Sequence, residues 1–243
     1  MSQKQRPGDS LVFLDIQEPS PYNDNNVSKQ CHATEVSRLA RGTYVDTHQR
    51  ILETGMKMFL EQGFERTNLR DLCADAGITT GSFYRHFQSK EDLFAFFVRP
   101  AVDEIHKDFE DAEPVCRKAV EEGDLRKLWM IMDAHRLLDY IYRNLEALKL
   151  LLRSSGGTSF SNFLDDVVSR EADISMRSMK AARELGYIKA EIPSEAEMHM
   201  LCHAYISSIF EAVLHDLSRS DMENYIHTIV TFFTAGAYKV LDL

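Results

Sequence analysis

The sequence predicts an all-α chain, and three observations predict it. Apolar residues recur at three- and four-residue spacing along most of the chain beyond Asp46. Capping residues, with Ser194-x-x-Glu197 the clearest case, stand just ahead of several of those stripes. Beyond Pro114 there is no convincing run of alternating apolar and polar residues that would read as strands.

Taken in order, residues 1–40 include the Pro/Ser/Asn-rich stretch QEPSPYNDNN and are expected to form a disordered extension, with Leu11–Ile16 its one apolar patch. The first helix is expected to start near Asp46 or Thr47. Its inward stripe is Ile51, Leu52, Gly55, Met58 and Phe59, and Gly63 ends it. Asn68 caps a second helix by accepting from the amide of Asp71, with Leu69, Leu72, Cys73 and Ala76 on its apolar side. Gly77 then supplies a left-handed turn, and Thr79 caps a third helix whose apolar side is Phe83 and Phe87. Ser89, with Asp92 three residues on, opens a fourth helix carrying Leu93, Phe94 and Phe97, which Pro100 is expected to kink or divide. Helices follow over Leu125–Asn144 and Leu145–Leu152, then a Ser-Ser-Gly-Gly break at 154–157. Asn162–Leu185 is a long helix stopped by Gly186, with Tyr187 and Ile188 folding back on it. Ser194 and Ser220 are the expected caps of the last two helices.

Two short helices joined by a glycine turn form a helix-turn-helix, the unit that lays its second helix in the DNA major groove. Within it the run Thr67, Leu69, Leu72, Ala76-Gly77-Ile78-Thr79, Gly81, Tyr84, His86-Phe87, Lys90 and Leu93, with Phe59 and Gly63-Phe64 upstream, resembles the TetR/AcrR family. The resemblance covers about a quarter of the chain at motif strength, by many linked positions rather than one short pattern. It departs at Gly55, where the family usually has alanine, a local cost of about 1 kcal/mol in helix propensity, and at Cys73, in place of a smaller alanine. The resemblance implies an N-terminal three-helix DNA-binding head over residues 44–104 and a C-terminal helical ligand-binding and dimerisation domain over 105–243.

The charge distribution fits that division. The chain carries a net charge of −10, but residues 41–99 hold eight basic and eight acidic side chains, whereas 100–243 hold sixteen basic and twenty-five acidic ones. A neutral head relies on shape-specific docking as a dimer rather than on general attraction to phosphate. Cysteines 31, 73, 116 and 202 show no CxxC spacing, which favours free thiols in a cytoplasmic protein. No apolar run approaches the ~20 residues of a membrane span.

On the reading helix, Phe83 and Phe87 are expected to be buried, leaving Thr79, Thr80, Ser82 and Arg85 to meet base edges or nearby phosphates. Arg85 suits a two-pronged bond to guanine, and Gly81 lets the backbone approach the groove wall. By resemblance Tyr84, His86 and Lys90 are phosphate contacts, and Thr67 and Arg70 are placed to clamp the backbone from the second helix. The resemblance also implies an unknown small-molecule effector. Trp129, Met132, His135, Arg136, Tyr140, Phe160, Phe163, Met176, Met179, Met198, Cys202 and Tyr205 are candidates to line its pocket, although such a stripe also reads as plain core. His199-x-x-Cys202-His203 lacks an obvious fourth metal ligand, with Glu195 or His227 the nearest candidates, and is read as polar residues at a pocket or dimer seam rather than a metal site.

The leading function is therefore a homodimeric DNA-binding regulator, a repressor released by ligand, with no cofactor. No G-x-S-x-G, GxxxxGK[ST], HExxH or glycine fingerprint after a strand supports an enzyme. The rival is a ligand- or partner-binding helical protein without specific DNA binding, which the neutral head and Gly55 keep open.

Overall fold

The computed structural model describes residues 30–130, 134–215 and 217–243, with side chains for 44–128, 136–215 and 217–243. Among them are ten helices and no strand: α1 Gln30–Arg66, α2 Leu69–Asp75, α3 Thr80–Phe83, α4 Lys90–Glu121, α5 Arg126–Met130, α6 Ala134–Arg143, α7 Leu145–Arg153, α8 Phe163–Glu184, α9 Glu195–Leu214 and α10 Arg219–Leu241. No helix is long and apolar enough to cross a membrane.

The chain divides into two units at Tyr44. In the first, the chain is helical from Gln30, well before the expected start near Asp46. Ala33, Glu35, Arg38, Leu39, Ala40 and Arg41 are all good helix formers, which accounts for the difference. The rest of the expected extension, Leu11–Ile16 included, lies outside the described residues. Everything below concerns the second unit, Val45–Leu243.

There the apolar stripe of α1 points inward as expected, with Ile51 and Phe59 fully buried and Gly63 leaving helical geometry at φ 81. Gly55 is a packing residue as well as a helical one. A Cβ built on it would lie 2.7 Å from Leu93 Cδ2, so its missing side chain lets α4 cross α1 closely. Phe59, Phe64 and Phe94 meet in tilted and edge-to-face pairs 5.3–5.8 Å apart, forming the centre of the head.

α4 runs as one helix through Pro100 and Pro114 from head to body, so of the kink or division expected at Pro100 the division does not occur. The carbonyl freed by Pro100 is that of Phe96, on a residue exposed to water, so the helix tolerates the missing donor. α8 and α9 form the main seam of the body, with α10 alongside α6 and α9. Gly186 takes φ 78, and Ile188 folds back to be buried.

Two caps differ in detail from the sequence reading. Asn68 accepts from the amide of Arg70, not Asp71. Ser218, not Ser220, caps α10 by accepting from Asp221. That choice puts Leu217 and Met222 at the two positions of a hydrophobic staple, and Met222 is buried.

Candidate nucleic-acid interface

The reading head is built from local turn chemistry. Gly77 sits at φ 64, a left-handed conformation that favours glycine. Thr79 follows in extended geometry and accepts from Ser82 N at 3.1 Å, which starts α3. Hydrogen-bonded turns continue the helix direction past Phe83, with His86 N and Phe87 N both bonded to Phe83 O. Phe83 and Phe87 are buried and anchor this segment. His48 of α1 stacks on Phe87 at 5.2 Å, and Phe96 of α4 meets Phe87 edge-on.

With those rings turned inward, the opposite side of α3 faces water. Thr79, Thr80, Gly81 and Arg85 are exposed, Ser82 and His86 half-buried, and Tyr84 is 57% exposed. Arg85 Nη2 donates to Ser82 Oγ at 3.2 Å, so the two polar side chains form one unit on the outer face. His86 lies with its Nδ1 3.3 Å from that of His48. Burial lowers the pKa of both imidazoles, and for His86 the neighbouring His48 and Arg85 charges act in the same sense.

Three side chains carry findings that the motif alone does not give. Thr67 is buried, and its hydroxyl donates to Gly63 O at 2.8 Å. Its hydroxyl proton is thus engaged inside the turn, which corrects its placement as a backbone clamp; Arg70 is exposed on the outer side. Lys90 Nζ donates to Phe64 O at 2.6 Å and Thr67 O at 2.7 Å, 4.0 Å from the Phe64 ring centroid. Burial pulls its pKa down. With two of three donors on carbonyls, Lys90 ties the start of α4 to the α1–α2 turn and keeps one N–H for an external acceptor. Arg50 was not singled out in the sequence: a Cβ on Gly77 would lie 3.4 Å from its Nη1, so its guanidinium rests against the turn of the motif.

A loop from the body docks on the head. Phe64 N donates to Ser154 O at 3.0 Å, and Ser159 N to Glu91 Oε1 at 2.9 Å. Gly157, at φ 79, lies under Glu65 so closely that a Cβ would fall 2.7 Å from its Cγ. In the sequence this Ser-Ser-Gly-Gly run reads only as a break between helices.

The sequence of the head and the geometry just described meet in the family comparison. The model of the bacterial regulatory proteins of the tetR family matches residues 51–95. The chain thus has a TetR-type helix-turn-helix head. Relatives that match it are named helix-turn-helix transcriptional regulators. The chain is 40% identical over 60 residues to the transcriptional regulator AcrR of Shigella flexneri, covering 25% of this chain and 28% of AcrR. It is 24% identical over 184 residues to the repressor AcnR of Corynebacterium diphtheriae, covering 72% of this chain and 84% of AcnR. The SmeT–triclosan complex shares the fold, with 23% identity and a TM-score of 0.50, over 78% of this chain and 90% of SmeT. The matches of highest identity run over only 45–61 residues, so the relatives first in similarity are spanned over well under two thirds of their length.

The helical body holds a cavity of about 750 Å³ between α4, the α5–α6 region and α8. Of the sequence candidates, Arg136, Tyr140 and Met179 line it. The side chains of Trp129, Met132 and His135 lie outside the described residues. Phe163, Met176, Met198 and Cys202 are buried away from this cavity, and Tyr205 and Phe160 also stand apart from it. The reason is helical phase. Glu171, Ile174, Ser175 and Ser178 share the cavity face of α8, so Met176 points elsewhere, and Phe163 packs against Phe210 of α9. Burial pushes the Cys202 thiol up to about 12, so it stays neutral. His199 and His203 are exposed while Cys202 is turned inward, and among the described residues no three potential ligands come together as a metal site.

Proposed function

We propose that this chain is a cytoplasmic repressor that binds a near-palindromic operator as a homodimer and releases it when a small molecule enters the cavity beside α4. The observation that carries DNA reading is the two-sided α3 segment. Its aromatic residues are locked in the core, while Thr80, Ser82, Tyr84 and Arg85 face outward together. That separation of anchor from reader is what major-groove docking requires. Arg85, Ser82 and Thr80 are proposed for base edges. Tyr84, His86, Arg70, the third proton of Lys90 and Arg50 are proposed for phosphates.

Repression as the sign of control is supported by the AcnR relatives, which are named repressors. Dimerisation through α9 and α10 is supported by what those helices leave outside. Met200, Leu201, Phe232 and Val240 are 48–71% exposed. A Cβ on Gly236 would meet nothing within 4 Å, leaving a smooth place for another backbone. Leu201 and Val240 belong to this second apolar face. Heads roughly 34–36 Å apart would read half-sites about one DNA turn apart. The extension over 1–40, the head over 44–104 and the body over 105–243 are the proposed functional divisions.

Selection of bound duplexes from a random DNA pool tests the reading. An enriched inverted repeat is expected from ligand-free protein, and no enrichment at low salt would overturn it. Arg85→Ala is then expected to relax preference at one position per half-site, by about 1–3 kcal/mol of discrimination. Equal weakening on every sequence would instead assign Arg85 to phosphate.

A further inference from the structure

We propose that the ligand of the body cavity is an organic cation, an apolar skeleton carrying one protonated amine held against the Glu171 carboxylate. The inference rests on the effector reading above and adds the chemical class. The cavity, about 750 Å³, has the volume of a site for a drug-sized molecule. Much of its wall is hydrocarbon, from residues such as Ile105, Phe109, Leu137, Ile174 and Met179. Such a wall binds an apolar body of many shapes; its polar groups decide which head group is accepted.

Glu171 is a half-buried carboxylate, and it belongs to the cavity lining. Its hydrogen-bond partner is Ser175 Oγ, one turn along α8, donating to Oε1 at 3.3 Å. A carboxylate has about four acceptor positions, so one hydroxyl leaves most of them open. Burial pushes its pKa up, and among the described residues no cation works in the opposite direction. Around it, Cys116, Cys202 and Tyr205 are each held in their neutral forms by burial and by the negative charge of Glu171 itself.

Among the described residues, the cations of the lining are paired with other carboxylates or are exposed. Arg136 pairs with Asp108 at 3.3 Å, and Lys127 with Glu122 and Asp124 at 3.1 and 3.2 Å. Arg126 is exposed. A ligand ammonium supplies the missing partner as a charge-assisted hydrogen bond in a site of low dielectric. A ligand carboxylate would set two negative charges together there, and a neutral alcohol would leave the charge uncompensated. The acidic body, with nine more acidic than basic side chains over 100–243, steers the same class inward.

Isothermal titration of the full chain with decylamine, decanol and decanoate, which share one hydrocarbon body, tests the assignment. Decylamine is expected to bind about tenfold or more tightly than decanol, with decanoate weakest. Glu171→Gln, which keeps size and the Ser175 bond, is expected to remove the amine preference while leaving decanol within about twofold. Val115→Trp, at the exposed part of the lining, is expected to weaken all three together. Decanoate binding best, or an amine preference that survives Glu171→Gln, overturns the cation class while leaving the effector cavity standing. Binding untouched by Val115→Trp, or no binding of any of the three and no release of selected duplex, overturns the cavity reading and the cation class with it.

Discussion

Gly55→Ala sets two opposing effects against each other. In a helix interior alanine is favoured over glycine by about 1 kcal/mol, so propensity alone predicts a stabler protein. The structure predicts the reverse. The new Cβ would lie 2.7 Å from Leu93 Cδ2, with Leu93 Cγ at 3.5 Å and Phe97 Cε2 at 3.7 Å. Leu93 has no exposure to solvent, so its isobutyl group has no open side to swing toward. An extra methyl in such a place typically costs about 1–3 kcal/mol. The net expectation is a loss of about 0–2 kcal/mol, or a fall in Tm of up to roughly 8 °C for a chain of this size. Thermal and urea unfolding at one fixed protein concentration measure it, since an associating protein shifts its Tm with concentration. A cycle with Leu93→Ala isolates the cause. Leu93→Ala alone leaves a cavity costing about 2–5 kcal/mol, and Gly55→Ala should be stabilising in that background because its methyl enters the space vacated. If Gly55→Ala in the native background is stabler by about 1 kcal/mol, and the two changes are additive, the close crossing of α1 and α4 does not constrain position 55 and the argument fails.

Three further outcomes are expected. Lys90→Met should lower stability by about 1–3 kcal/mol, because two turn carbonyls lose a charged donor. On DNA, a salt slope reduced by about one would add a phosphate contact to that structural role, whereas an unchanged slope would leave the structural role alone. His48 and His86 both have lowered pKa values, so near the ordinary imidazole pKa the unfolded chain takes up protons before the folded head does. Stability is therefore full above the unfolded value of 6.5 and is lost as pH falls from there through the folded values; a head whose unfolding midpoint is flat across that window would refute the packing of two neutral rings. Phe232→Arg places charge on the most exposed aromatic ring of α10; analytical ultracentrifugation at micromolar concentration is expected to find a dimer for the native chain, as proposed, and a monomer for the variant.

What the sequence discloses and what it hides divide by distance along the chain. Asn68, Gly77 and Thr79 act on neighbours within a few residues, and Phe83 and Phe87 show their burial by spacing alone, so the reading head was legible. In the body, near-equal local signals misled: Ser218-x-x-Asp221 and Ser220-x-x-Glu223 are equivalent as caps, and only the position of the buried Met222 decides between them. The contacts between residues distant in sequence were not legible. Lys90 meets carbonyls 26 and 23 residues away, and Ser159 meets Glu91 across 68. Nothing local distinguishes a lysine that will bond backbone oxygens from one that will meet phosphate, because both are exposed-looking cations at a helix start. The cavity was harder still. Aromatic and methionine residues attracted attention there, yet most of those described pack elsewhere, and the group that gives the cavity its chemical sign is a glutamate. On a helix with acidic neighbours on both sides, Glu171 reads as an ordinary solvated charge. Only the packing of α4 against α8 turns it into a carboxylate whose neighbours are hydrocarbon, thiol and hydroxyl. The proposed DNA-reading face is thus written in local motifs, while the proposed choice of ligand depends on which polar side chain the assembled helices enclose.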